Sequence, residues 1–222
     1  FYEPIVASKL TFNMACETFP EWLMQYCDMR WASVILYKDN DTNVGLWRGY
    51  LMAQSLNVTV VNNLMACAMV AIGEIGLDYA CKVDRQMQEH LFREQLSIAQ
   101  RLRKPVVVHC VRAFEPMMKI LSKYQLRAVI FHGFIGSVQQ AEQAVKRGYY
   151  LSFGEGAFRS PRTLEAMRTI PLSRLFAETD ESQISIEKIY EMIATERKIE
   201  VAELQTQIEN NYNEIFLQHN DR

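Results

Sequence analysis

Pro105-Val106-Val107-Val108-His109 decides how the rest of this chain is read. A proline followed by three β-branched residues favours an extended strand, and the lack of apolar–polar alternation says that both faces of that strand are covered. Double covering is the mark of a parallel sheet with helices packed on it. The histidine closing this dry run falls at the C-terminal end of the strand, where parallel α/β folds build their sites.

Working outward, the same cycle recurs. After His109, Pro116 fits the first turn of a helix that turns Met117, Ile120, Leu121 and Tyr124 to the core. Arg127-Ala128-Val129-Ile130-Phe131-His132 is a second strand ending in histidine, and Ser137 with Gln140 makes a capping-box start for a helix bearing Val138, Ala141 and Val145. Gly148 stops that helix. Tyr149-Tyr150-Leu151-Ser152-Phe153 is the next strand, followed by a helix around 162–168 and the strand Leu175-Phe176-Ala177-Glu178-Thr179-Asp180. Ser185 caps a helix with Ile189, Tyr190 and Ile193 inward, and a last helix aligns Val201, Leu204, Ile208, Tyr212 and Ile215.

Upstream, Met87, Leu91, Ile98 and Leu102 predict one face of a helix. Before it, Met69-Val70-Ala71-Ile72-Gly73-Glu74 reads as a strand, with Ile75-Gly76-Leu77-Asp78 in a loop. Further upstream, Lys9–Met14 and Trp31–Tyr37 are candidate strands. Two strands here and five later give seven, and a closed barrel of this kind needs eight. Strands alternating with helices, without hairpin signals, predict an α/β fold: a (β/α)8 TIM-type barrel in which residues 1–222 form a single domain, with its first strand missing from these residues.

Composition narrows the function classes. With 222 residues, 49% of them hydrophobic, the chain is long enough for such a barrel, and its net charge of −2 gives no basic tract for gripping nucleic acid, although a local basic pocket stays open. Cys16, Cys27, Cys67, Cys81 and Cys110 form an odd set with no Cys-x-x-Cys pair, which excludes a disulfide framework or a thiolate zinc site as the organising device and favours a reducing compartment. No apolar run reaches a membrane span, so no membrane partner is expected and a cytoplasmic location is.

Glu74, His109, His132 and Asp180 each close a different predicted strand. A single carboxylate or imidazole in such a place commonly does no more than cap a loop. Four of them on four dry strands are costly to bury together, and a divalent cation offsets that cost. Nitrogen and oxygen donors without thiolate suit Mg, Mn or Zn. Cys110 points away from His109 by the period of two and reads as packing. His90 on its helix and His219 in the C-terminal tail read as surface or packing residues.

The motifs Val70–Asp78, Pro105–His109, Phe131-His132-Gly133-Phe134 and Glu178-Thr179-Asp180, in this order, resemble those of the TatD family of metal-dependent deoxyribonucleases, over about two-thirds of the chain. The resemblance implies a distorted (β/α)8 barrel of the metal-dependent hydrolase kind with two divalent metals at the strand C-termini. Glu74 would bridge the metals, His109 and His132 would complete one site, and Asp180 would serve the other and orient the attacking water. Glu74 and Asp180 are thus the catalytic pair that the resemblance implies. Single-stranded DNA ends are the implied substrate, with 3′-exonuclease action. Arg112, three residues past His109, is the candidate contact to the scissile phosphate, beside its equally ordinary reading as a solvated residue opening the next helix.

The family's first strand carries a His-x-His pair, and this sequence has none; its first histidine is His90. Near Ser33–Lys38, where relatives show Gly-Ile-His-Pro, Tyr37 and Lys38 stand instead. Either the pair lies upstream of Phe1, which the strand count and the missing initiator Met favour, or it has been lost. Two other readings therefore stay open: a barrel hydrolase of a small-molecule ester, amide or phosphoester, and a degenerate binding or regulatory subunit.

Overall fold

The computed structural model describes residues 69–180 and 182–217, together with the backbone of Ile35 and Leu36. The chain divides into two compact units, Phe1–Glu74 and Ile75–Arg222. In the first unit, strand β1 (Ile35–Leu36) pairs antiparallel with the start of β2 (Met69–Asp78), with Ile35 opposite Ala71 and Leu36 opposite Met69. Lys9–Met14, Tyr37, Lys38 and His219 lie outside the described residues, as does all of Trp31–Tyr37 except these two.

The second unit opens with the end of β2. Ile75–Asp78, expected as a loop, continues the strand. The reason lies in the neighbouring strand: Tyr79 N donates to Val111 O at 2.9 Å, and the approach at Gly76 is so close that a Cβ there would stand 2.0 Å from the His109 carbonyl oxygen. Only glycine keeps the ladder intact at that point. Gln88 then fastens the turn after β2: it accepts from Asp78 N at 2.8 Å and donates to Asp78 O at 2.9 Å and Val83 O at 3.0 Å.

The elements that follow alternate as the sequence predicts. Helix α1 (Arg85–Leu102) starts at Asp84, whose side chain accepts from Met87 N. Its phase differs from expectation. Met87 is 51% exposed, and the buried stripe is Phe92, Leu96 and Ala99. Two apolar stripes lie side by side on this helix, and the one holding the aromatic ring removes more apolar area from water. Next come β3 (Val106–Val111), α2 (Phe114–Leu121), β4 (Val129–Phe131), α3 (Val138–Lys146) and β5 (Tyr150–Phe153). After these follow α4 (Glu155–Phe158), α5 (Pro161–Thr169), β6 (Leu175–Ala177), α6 (Ile186–Arg197) and α7 (Val201–Tyr212). A π-helical turn, Asn213–Leu217, closes the described chain. The Ser137–Gln140 capping box forms in full, and Gly148, at φ 80°, ends α3 with its N–H on Val145 O. Among the described residues no helix is long and apolar enough to cross a membrane.

β2 to β6 neighbour one another in sequence order, and the β3–β4, β4–β5 and β5–β6 pairs are parallel. Register sorts the side chains into two faces. Val106, Val108, Val129, Phe131, Leu151, Phe153 and Leu175 form one face, each at most 1% exposed beneath the helices. Each such side chain contributes about 1.5–3 kcal/mol on burial. The other face carries two bands. Val107, Ala128, Ile130, Tyr150 and Phe176 pack with Ile215 and Phe216 of the π turn into an apolar floor. One step further along the same face, by the period of two, come His109, His132, Ser152 and Glu178. The last helix is tied to this sheet by Asn211, 1% exposed, whose amide donates to Leu172 O and Leu175 O at 2.9 and 2.8 Å.

Candidate metal centre

His132 stands one residue past β4, yet the ladder holds it: its N–H donates to Val108 O at 3.0 Å. Glu178, one residue past β6, is held in the same way by Phe153 O at 3.2 Å. These bonds extend the period-two order beyond the strands, so both side chains stand on the face above the apolar floor. His132 Nδ1 lies 2.9 Å from Glu178 Oε1, and Nε2 lies 3.6 Å from Asp180 Oδ2. A carboxylate accepting from Nδ1–H fixes the imidazole tautomer and turns the Nε2 lone pair toward Asp180. His132, Glu178 and Asp180 each offer an atom within 4.8 Å of the others. The His109 ring stacks on that of His132, with centroids 5.9 Å apart and planes 29° from parallel.

Asp180 adopts φ 48°, a left-handed conformation that Asp tolerates better than most residues. The chain beyond it is braced: Ser182 N donates to Thr179 O at 2.8 Å, and Ser182 Oγ donates to Glu155 Oε2 at 2.6 Å. Glu74 lies half-buried on β2 as the last residue of the first unit. The second unit thus brings together His109, His132 and Asp180 of the residues expected from the sequence. The donor chemistry fits a divalent cation: a half-buried imidazole with its far nitrogen already bonded to a carboxylate, and a second carboxylate facing the near nitrogen.

Two clefts flank the centre. One, of about 590 Å³, is lined by His132, Arg112, Phe134 and Arg162 among others. The other, of about 270 Å³, is lined by Glu178, Asp180 and Arg159. Ile135, 48% exposed, borders both. Arg112, just past β3, sits in the first cleft at φ 51°, a conformation that costs about 1–3 kcal/mol and concentrates at functional sites. Cys110 packs as expected, its thiol pushed up to about 11 by burial. His90 is an exposed residue of α1.

Three side chains were not found in the sequence. Glu178 enters the sequence reading only as part of a motif, although its parity with Phe176 and Asp180 carries the signal. Arg159 and Arg162 have no such signal, because they open and close short helices and reach the clefts only through the fold.

The model of the TatD related DNase family matches residues 53–217. The metal-dependent hydrolase YabD of Bacillus subtilis is 37% identical over 117 residues, covering 50% of this chain and 46% of that protein. The human deoxyribonuclease TATDN3 is 30% identical over 125 residues, covering 54% of this chain and 46% of its own length. The chain therefore spans about half the length of the curated relatives it matches. Among solved structures, the TatD homologue YjjV of Escherichia coli superposes with a TM-score of 0.65 at 28% identity, over 71% of this chain and 67% of that one. A TatD family hydrolase of Entamoeba histolytica shares the fold, with a TM-score of 0.62 at 19% identity over 72% and 67%. The fold class read from the sequence, an α/β fold of the TIM-barrel kind, agrees with these neighbours. With the family match running through every strand of the second unit and past the last helix, the chain belongs to the TatD related DNase family.

Proposed function

We propose that this chain is a metal-dependent phosphodiesterase acting on single-stranded DNA ends as a 3′-exonuclease, with residues 1–222 forming one barrel domain in the cytoplasm. One observation carries the reading: His132 is clamped through Nδ1 by Glu178, and its Nε2 faces Asp180 beside a cleft lined by two arginines. Glu74, His109, His132 and Asp180 are the proposed ligands of two divalent ions, Mg, Mn or Zn. Glu74 enters through the Val70–Asp78 motif and Asp180 through the Glu178–Asp180 motif. Cations in this centre would supply Lewis acidity toward a phosphoryl oxygen and a lowered pKa for a water molecule.

The remaining work falls to the chain's own groups. Glu178 keeps His132 in one tautomer and one orientation, so that the ring does not reorganise when substrate arrives. Asp180 would orient a water and accept its proton. Arg112 and Arg162, whose guanidinium forks match phosphate oxygens, position the strand in the larger cleft. Arginines lining that mouth favour a polyanion over a small neutral ester.

Incubating the full chain with end-labelled single-stranded DNA and Mg or Mn tests the reading. Chelator-sensitive shortening from the 3′ end is expected. Absence of shortening, or equal shortening by Glu74→Ala, refutes it.

A further inference from the structure

At the opposite edge of the sheet, where β4, β5 and β6 begin, a cleft of about 320 Å³ is lined by Arg127, Arg147 and Arg174. Tyr149, Tyr150, Gly148, Glu214 and Ile215 also border it. Three arginines and one glutamate line it, a formal excess of two positive charges in a recess at the small end of ligand-pocket sizes. The two arginines nearest the sheet differ in how they are held. Arg174 lies over the Tyr150 ring, 4.6 Å from its centroid, and the Tyr150 hydroxyl is acted on by both Arg174 and Glu214. Glu214 is thereby engaged on the Arg174 side of the cleft. Arg127 is half-buried, makes no ion pair with a carboxylate among the described residues, and is held below the ordinary arginine range by that burial. Arg147, the exposed C-cap of α3, acts on the Tyr149 hydroxyl and adds a third fork at the rim.

A half-buried arginine that shares a recess with two others is unfavourable there unless an anion joins them. We propose that this cleft is a binding site for a phosphate monoester dianion. The charge argument selects the ligand: a dianion balances the excess of two, whereas a phosphodiester carries a single charge. Guanidinium forks pair with phosphate oxygens two at a time, and a terminal phosphate presents three of them. The site stands apart from the metal centre. The residues from Val129 to His132 place the two roughly 10 Å apart along β4 alone. The floor of Ile130, Tyr150 and Ile215 lies between them. The inference does not depend on the phosphodiesterase reading.

Calorimetric titration of the chelator-treated full chain with inorganic phosphate and with deoxyribose 5-phosphate, at constant ionic strength, provides the test. Both ligands are expected to saturate one site and to raise the melting temperature. Arg127→Gln should weaken both by about tenfold or more, in line with loss of a charge-assisted pair. Arg127→Lys should recover part of that loss, and Arg85→Gln, exposed at the start of α1 and lining none of the three clefts described, should leave binding unchanged. Should Arg127→Gln fail to fold, Arg147→Gln on the exposed helix cap carries the same expectation. Three results overturn the proposal: no saturation below roughly 10 mM; loss of binding in Arg112→Gln but not in Arg127→Gln; or equal, Arg127-dependent binding of an oligonucleotide that lacks terminal phosphates.

Discussion

Replacing Gly76 with alanine isolates the contact on which the alignment of β2 against β3 rests. Gly76 has φ 155°, and an added Cβ would lie 2.0 Å from the His109 carbonyl oxygen and 2.9 Å from its carbon and nitrogen. Carbon–oxygen contacts settle near 3.4 Å, so the two strands must separate by about 1.4 Å at that point. That is a large fraction of the ordinary strand spacing of about 4.8 Å. Every atom struck is backbone, so no rotamer change relieves the clash. Overpacking of this kind, with the added backbone strain, is expected to cost about 3–4 kcal/mol. For a chain of this size that lowers Tm by about 6–15 °C. Gly148→Ala is the matched control. Gly148 has φ 80° with nothing within 4 Å of the added Cβ, so only the left-handed penalty of about 1–2 kcal/mol applies. Thermal melts followed by circular dichroism, with metal content after dialysis, compare the two. His109 moves with its strand, so Gly76→Ala should also retain less metal. If Gly76→Ala melts no lower than Gly148→Ala, the close approach is not what holds these strands in place.

Glu178→Gln keeps the size of the group on His132 Nδ1 but removes its charge, and metal affinity in competition titrations should fall by about 10–100-fold; unchanged affinity would show that Glu178 does not tune the imidazole. Asn211→Leu removes the amide donor from Leu172 O, which keeps the Leu175 N–H, and from Leu175 O, and should destabilise the protein by about 1–3 kcal/mol in urea melts; a loss under about 0.5 kcal/mol contradicts that role. Cys110, whose thiol is raised from 9.0 to about 11, should react with iodoacetamide far more slowly than exposed Cys81, as peptide mass mapping will read, and equal rates count against its burial. The sign follows for stability: between the two values the unfolded chain has released this proton and the folded chain still holds it, so stability falls as pH rises from about 9 to about 11.

Strands β3 and β4 were legible because a valine run ending in histidine has few other structures open to it. The capping box at Ser137 was legible because it is purely local. The phase of α1 was not: spacing alone admits both the Met87 stripe and the Phe92 stripe, and only packing chooses between them. The extension of β2 through Asp78 depends on Gly76 meeting a carbonyl some thirty positions away, which no window of sequence contains. At the centre, His109, His132 and Asp180 were readable as polar residues ending dry strands. Glu178 hid behind the end of β6, where hydrogen bonding rather than residue type continues the alternation. The three arginines of the lower cleft come from three different strand entrances, and proximity of that kind exists only after folding.

The apolar floor has a consequence for biosynthesis. Val107, Ile130, Tyr150 and Phe176 emerge from the ribosome well before Ile215 and Phe216, the residues that cover them. A nascent chain can therefore complete its histidine-bearing strands while one side of the sheet is still sticky, a state open to chaperones and to other chains. Docking of the π turn ends that vulnerable interval. Folding of this unit thus waits on a segment translated well after its last strand, and changes at Ile215 or Phe216 would register first as poor yield in cells rather than as altered chemistry.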